Sequence, residues 1–140
     1  MIIQDNTFRQ IKIKHANEIL THLLELNEPF SVLCVREGIN FNPLLPEKIT
    51  ENFTDVILFS LANYTLRSAF LENGQLIFEA GFGEENFGSV VSVPIENIIQ
   101  ITQEETPLFI NVSATLPKTQ KPKNPFAINP RNKKFLKDTK

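Results

Sequence analysis

The residues able to do chemistry in this chain are few and scattered. His15 and His22 stand seven positions apart, so on a helix they share one side. Two histidines without a third ligand make a poor metal site, and ordinary surface or interface histidines fit the pattern better. The single cysteine, Cys34, sits in the apolar run FSVLCVRE, residues 30–37. In such a run a free cysteine behaves as a small hydrophobe rather than a nucleophile. Glu84-Glu85 and Glu104-Glu105 are paired carboxylates. A pair does acid–base work when one member is desolvated, but both pairs lie in polar segments that read as solvated loops. Gly81, Gly83 and Gly88 follow a strand-like run. No helix opens after them and no P-loop lysine is present, so they do not form a phosphate-binding fingerprint. They read as turn and bulge glycines, or as positions where a bound backbone comes close. No catalytic residue, metal or cofactor is therefore expected, and the chain reads as a binding module rather than an enzyme.

The elements that would position a binding site follow from periodicity. Ala16, Ile19, Leu20, Leu23 and Leu24 recur at helical spacing, which predicts an amphipathic helix over residues 11–26, stopped by Asn27 and Pro29. Residues 30–37 predict a strand. Two prolines make residues 42–53 an irregular connection. The run DVILFSLA, residues 55–62, predicts a strand buried on both faces. Asn73-Gly74 between two strand-like runs predicts a type I′ hairpin, because both turn positions need positive φ. That register sets Leu71 opposite Leu76 and Ala69 opposite Phe78, with Phe78, Ala80 and Phe82 sharing one side of their strand. Residues 83–89 read as a polar loop and residues 90–94 as a short strand ending at Pro94. Residues 95–102 fit either a helical turn or a strand, and residues 107–112 predict the last strand. The expected fold is mainly β: one N-terminal α-helix, then five or six short strands in a small sandwich or barrel.

The 140 residues fit one domain, and 41% of them are apolar, enough for a core filled by Phe, Leu, Ile and Val. Residues 1–10 hold no apolar run of signal-peptide type, and no stretch reaches membrane-span length. A soluble, cytoplasmic protein is expected. The net charge of −2 hides an asymmetry. From Lys118 onward, eight Lys/Arg stand against one acid, giving +7; before it, six Lys/Arg stand against fifteen Asp/Glu, giving −9. Residues 117–140 are basic and rich in proline, with two apolar islands, Phe126-Ala127-Ile128 and Phe135-Leu136. Such a segment buries too little surface to offset its ordering entropy. The expected organisation is thus a folded domain over residues 1–116 and a disordered tail over residues 117–140.

Three stretches carry a resemblance to a known family. LLPEKITENFTDVILFSLA, FLENGQLIFEAGFG and SVVSVP are similar to segments of the SspB (stringent starvation protein B) family, the adaptors of the ClpXP protease. The second stretch resembles that family's aromatic-x-Ala-x-Phe-Gly motif, here Phe78, Ala80, Phe82 and Gly83. The third resembles its Val-Ser-Val-Pro segment, here Val91 to Pro94. The likeness spans roughly residues 10–112. It implies a β-barrel-like fold related to Sm domains and a homodimer formed through the N-terminal helix. It also implies a groove that binds ssrA-type degradation tags, and a tail that docks on the ClpX unfoldase. Ala80 and Phe82 match the groove strand most directly, followed by Gly83, with Phe59, Ser60, Phe78 and Val91 as further positions. Phe126, Ile128, Phe135, Leu136 and Lys137 are the corresponding tail-docking residues. The chain departs from the family pattern in two places. Residues 83–90 form a longer link, and the tail is basic throughout rather than led by an acidic linker.

An alternative reading is an Sm-like RNA-binding or assembly module. The acidic domain opposes nucleic acid, and only the tail attracts phosphate. Any RNA retention in a gel-shift assay is therefore expected to fall steeply with salt and to vanish on deletion of residues 118–140. A shift that survives that deletion would establish a folded RNA site.

Overall fold

The structure, a computed structural model, describes residues 1–115. The tail expected over residues 117–140 lies outside the described residues. The first long element is helix α1, Asn6–Leu26. It starts five residues earlier than periodicity indicated, because Asp5 caps it: its carboxylate accepts from the Phe8 N–H at 2.9 Å. A cap of this kind is worth about 1 kcal/mol. Asn27, at φ 57°, ends the helix in the left-handed conformation. Ala16, Leu20 and Leu23 form its buried stripe.

Eight strands follow: β1 Phe30–Val35, β2 Asn40–Asn42, β3 Val56–Leu61, β4 Phe70–Glu72, β5 Gln75–Phe82, β6 Phe87–Pro94, β7 Ile98–Gln103 and β8 Thr106–Ile110. Two short helices interrupt them, α2 Glu47–Thr50 and α3 Asn63–Ser68. The strands make two antiparallel four-stranded sheets, ordered β3-β1-β7-β8 and β2-β6-β5-β4. Among the described residues no ladder joins one sheet to the other, so they do not close a barrel. Both sheets and α1 contribute to one core. Across it, Phe59 of β3 meets Phe78 of β5 edge to face, at 5.3 Å and 69°. Such a pair adds about 0.5–1.5 kcal/mol beyond the area it buries.

The Asn73-Gly74 turn forms as its residues require, with φ 54° and 75°, and Leu71 pairs with Leu76. Ala69 does not face Phe78. It ends α3, β4 begins one residue later, and Phe78 pairs with Val91 on its other side. The run over residues 55–62 is not buried on both faces. β3 is an edge strand with the core on one side only, so Ile57, Phe59 and Leu61 are buried while Val56, Leu58 and Ser60 are exposed. The loop expected over residues 83–89 is only four residues long. Gly83 and Asn86 both take positive φ and the Asn86 N–H donates to the Gly83 carbonyl at 3.1 Å, so β6 already begins at Phe87. Residues 95–102 contain both of their alternatives, a 3-10 turn over Ile95–Asn97 and then β7. The connection over residues 42–53 contains α2, and α3 was not legible at all, since one and a half turns show no periodicity.

Asn97 holds the sheets' common end together. Its buried carboxamide donates to the carbonyls of Val35, at 2.8 Å, and Glu37, at 2.7 Å. Replacing it with alanine leaves those part-buried acceptors short of a donor. Asn97→Ala is expected to cost about 2–3 kcal/mol, read as a lower urea midpoint with an unchanged slope.

Candidate functional site

Sheet β2-β6-β5-β4 builds an open cleft of ≈600 Å³ around the far end of the β5–β6 hairpin. Its floor follows from register. β5 and β6 pair without a break from Gln75↔Pro94 to Phe82↔Phe87, which sets Gly81 directly opposite Gly88. Two facing glycines leave a strip of sheet without side chains. Asn42 and Pro43 stand on one side of the cleft, and residues 62–65, at the start of α3, on the other. The Asn86 carboxamide lies over Gly81: a Cβ there would come within 1.8 Å of its Oδ1. A Cβ on Gly88 would meet nothing within 4 Å.

The β5 edge is open here. β4 accompanies β5 only as far as Phe70↔Ile77. At Glu79 the role of a strand passes to α3, where the Ser68 Oγ accepts from the Glu79 N–H at 2.9 Å. Antiparallel alternation turns the N–H and C=O of Gly81 to the same side as those of Glu79, and no strand among the described residues pairs there. The lining is rich in amides, from Asn42, Asn63 and Asn86, and Glu79 is its single acidic residue.

The Tyr64 hydroxyl donates to the Glu79 Oε1 at 2.5 Å. That hydrogen bond, and the repulsion between the carboxylate and a phenolate, raise the Tyr64 pKa above its ordinary value. Tyr64 is the only tyrosine and there is no tryptophan, so tyrosinate absorbance reports this residue alone.

A second cleft of ≈510 Å³ adjoins the Gly83–Asn86 turn and is lined by Ile49, Phe53, Phe82, Gly83 and Phe87 among others. Phe82 packs edge-on against Phe41, with centroids 5.8 Å apart. The residues expected at the groove therefore separate. Ala80 lines the first cleft while its side chain packs beside the core, on the same side of β5 as Phe78 and Phe82. Phe82 and Gly83 belong to the second cleft. Phe59, Phe78 and Val91, at 5%, 1% and 0% exposure, line neither and are core residues; inward strand positions in a two-sheet core do not reach a surface groove. Ser60 is on the other sheet, its Oγ 3.1 Å from the Ser31 Oγ. The residues expected in tail docking, Phe126, Ile128, Phe135, Leu136 and Lys137, lie outside the described residues.

The remaining chemistry-bearing residues stand apart. Cys34 is buried in β1, and burial pushes its thiol well up. His15 and His22 are exposed on α1, with His22 Nδ1 3.9 Å from a Glu25 oxygen. Among the described residues, no three His, Cys, Asp or Glu side chains gather as a metal-ligand set, and no helix is long and apolar enough to cross a membrane.

The chain matches no protein-family model and no curated protein. What can be said of the site rests on its own geometry. Sequence reading missed Tyr64, Glu79, Asn86 and the pairing of Gly81 with Gly88. The glycines were the available signal, since one reading of them was close approach by a bound backbone. Their opposition depends on the four-residue turn, which composition does not give.

Titration followed by tyrosinate absorbance is expected to give an apparent pKa for Tyr64 above the usual 10 of a free phenol. Glu79→Gln removes the charge and should bring it down. An ordinary value in both proteins would show the Tyr64–Glu79 bond to be absent in solution.

Proposed function

We propose that the chain is a non-enzymatic adaptor that holds an extended peptide, of the ssrA degradation-tag type, in the cleft over Gly81 and Gly88. The observation that carries this reading is the open floor at Gly88 beside an unpaired stretch of strand edge at Gly81, where the Asn86 carboxamide covers the sheet face but not the edge. Extended peptides bind sheets by adding main-chain hydrogen bonds at such an edge, and a floor without Cβ atoms lets two backbones approach. Amide side chains on the walls suit the amide groups of a peptide. Among the described residues the cleft lining holds no Lys, Arg or His, so those residues hold the peptide along its backbone rather than by a terminal carboxylate. The resemblance to the SspB family, centred on the strand that carries Ala80 and Phe82, supports the same occupant.

Delivery to ClpX through residues 117–140, by the apolar islands at Phe126–Ile128 or Phe135–Lys137, completes the proposal. Tethering of this kind raises the local concentration of substrate at the protease without chemistry. A homodimer through α1 belongs to it as well, and the exposed Ile11 and Leu26 on that helix support it.

Fluorescence anisotropy with a labelled ssrA-type peptide tests the cleft. Gly88→Leu fills the floor from a position where the fold has room, so it is expected to weaken binding at least about tenfold, or about 1.4 kcal/mol, with an unchanged melting temperature. Ala80→Leu should weaken it too. Deleting residues 117–140 should leave peptide affinity intact and abolish delivery to ClpXP. No binding by the unmodified chain at high micromolar concentration would sink the tag reading.

A further inference from the structure

Sheet β3-β1-β7-β8 has a second face, turned away from the core, and its centre carries no charge. Register sets Leu58 beside Leu33, then Gln100 and Ile110, in one row across it. Val56 beside Val35 begins the next row, and Ser60, Ser31 and Thr102 form the row on the other side. Leu58 is 60% exposed, Ile110 50% and Val56 40%. The outermost strand, β3, holds no Pro, Lys or other charge over its six residues, so it lacks the devices that keep edge strands from pairing. Acids stand at both ends of this apolar face. Glu28 and Glu104 line a hollow of ≈660 Å³ with Ser31, Ser60 and Leu108 at one end. Glu37 and Asp55 stand at the other, beside Arg36.

An apolar strip with acidic ends fits a short apolar segment flanked by cations. A second copy of this same face is a poor occupant, because its acidic ends would meet acidic ends. The chain itself contains the complementary sequence, Lys-Lys-Phe-Leu-Lys, at residues 133–137. We propose that this segment docks in cis on the outer face of the sheet, with Phe135 and Leu136 on the Leu33–Leu58 row and the lysines toward the acidic ends. The reach is sufficient. The described chain ends at Thr115, just after β8, which is the opposite edge strand of this same sheet. From β8 to β3 is three strand spacings, about 14 Å. A chain as long as residues 116–132 spans about 23 Å as a flexible coil and up to about 53 Å where proline extends it. An intramolecular partner at that tether length acts at millimolar effective concentration, so weak contacts suffice. The other island, Phe126–Ile128, has its nearest cations, Lys123 and Arg131, three residues away on each side, whereas Lys134 and Lys137 adjoin Phe135-Leu136 directly. The proposal does not depend on the tag reading, which concerns the other sheet.

A spin label on a Lys140→Cys full-length chain tests it, since the native Cys34 is buried and out of reach of the reagent. In amide NMR spectra at low salt, signals of β1 and β3 are expected to lose intensity and to regain it at high salt. The loss should disappear in Leu58→Lys, a change at an exposed position that the fold tolerates, and in a Phe135→Ala/Leu136→Ala double variant. Isotope-labelled chains mixed with unlabelled, spin-labelled ones should show no loss. Intensity loss spread evenly over the surface, or persisting in Leu58→Lys, would overturn the docking. Equal loss in the mixed sample would assign the face to a neighbouring chain's tail and overturn docking in cis.

Discussion

The contact between Phe59 and Phe78 joins one sheet to the other, and the remaining architecture depends on it. It commits one face of β3 and one face of β5 to a shared core. Because side chains alternate along a strand, that commitment also decides what stands outside. Leu58 is exposed because Phe59 is buried, and Gly81 lines a cleft because Phe78 and Phe82 turn inward. The same core takes the buried stripe of α1, so the helix that opens the chain is fixed against the sheets rather than standing free.

Register within the second sheet does the finer work. A shift of one residue between β5 and β6 would turn the inward side chains of one strand outward relative to the other. The four-residue turn from Gly83 to Asn86 prevents it, since both end residues hold positive φ. Gly81 then meets Gly88, and Asn86 folds back over Gly81. At the other end of the hairpin pair, β4 is short because α3 occupies the space beyond Phe70. The strand edge at Gly81 is open for that reason, and Ser68 and Tyr64 bond to Glu79 for the same one.

Charge gives the molecule a second division, independent of the fold. The fifteen acids of the first 117 residues and the eight cations that follow attract one another through a medium that screens beyond about 8–10 Å. Where an acid stands next to exposed apolar surface, as Glu28 and Glu104 do beside Leu108, attraction and burial favour the same kind of segment. The glycine cleft is different in kind. Its one carboxylate is already engaged by a phenol, and its walls offer amides.

The sequence by itself determined the local elements whose signals are short-range. Asn73-Gly74 requires a type I′ turn whatever surrounds it, Asn27 and Pro29 stop a helix, and the apolar period over residues 16–24 marks its buried stripe. The charge asymmetry and the scarcity of catalytic side chains are likewise properties of composition. What only the tertiary structure decided is which faces of those elements meet. The run over residues 55–62 looks the same as a central strand and as an edge strand, because hydrophobicity does not report how many neighbours a strand has. Phe59, Phe78 and Val91 cannot be told from groove residues by type, since apolar side chains serve both uses. The site's glycines were visible from the start, but their opposition across two strands is a matter of register, and register is set by pairing partners that no local pattern names.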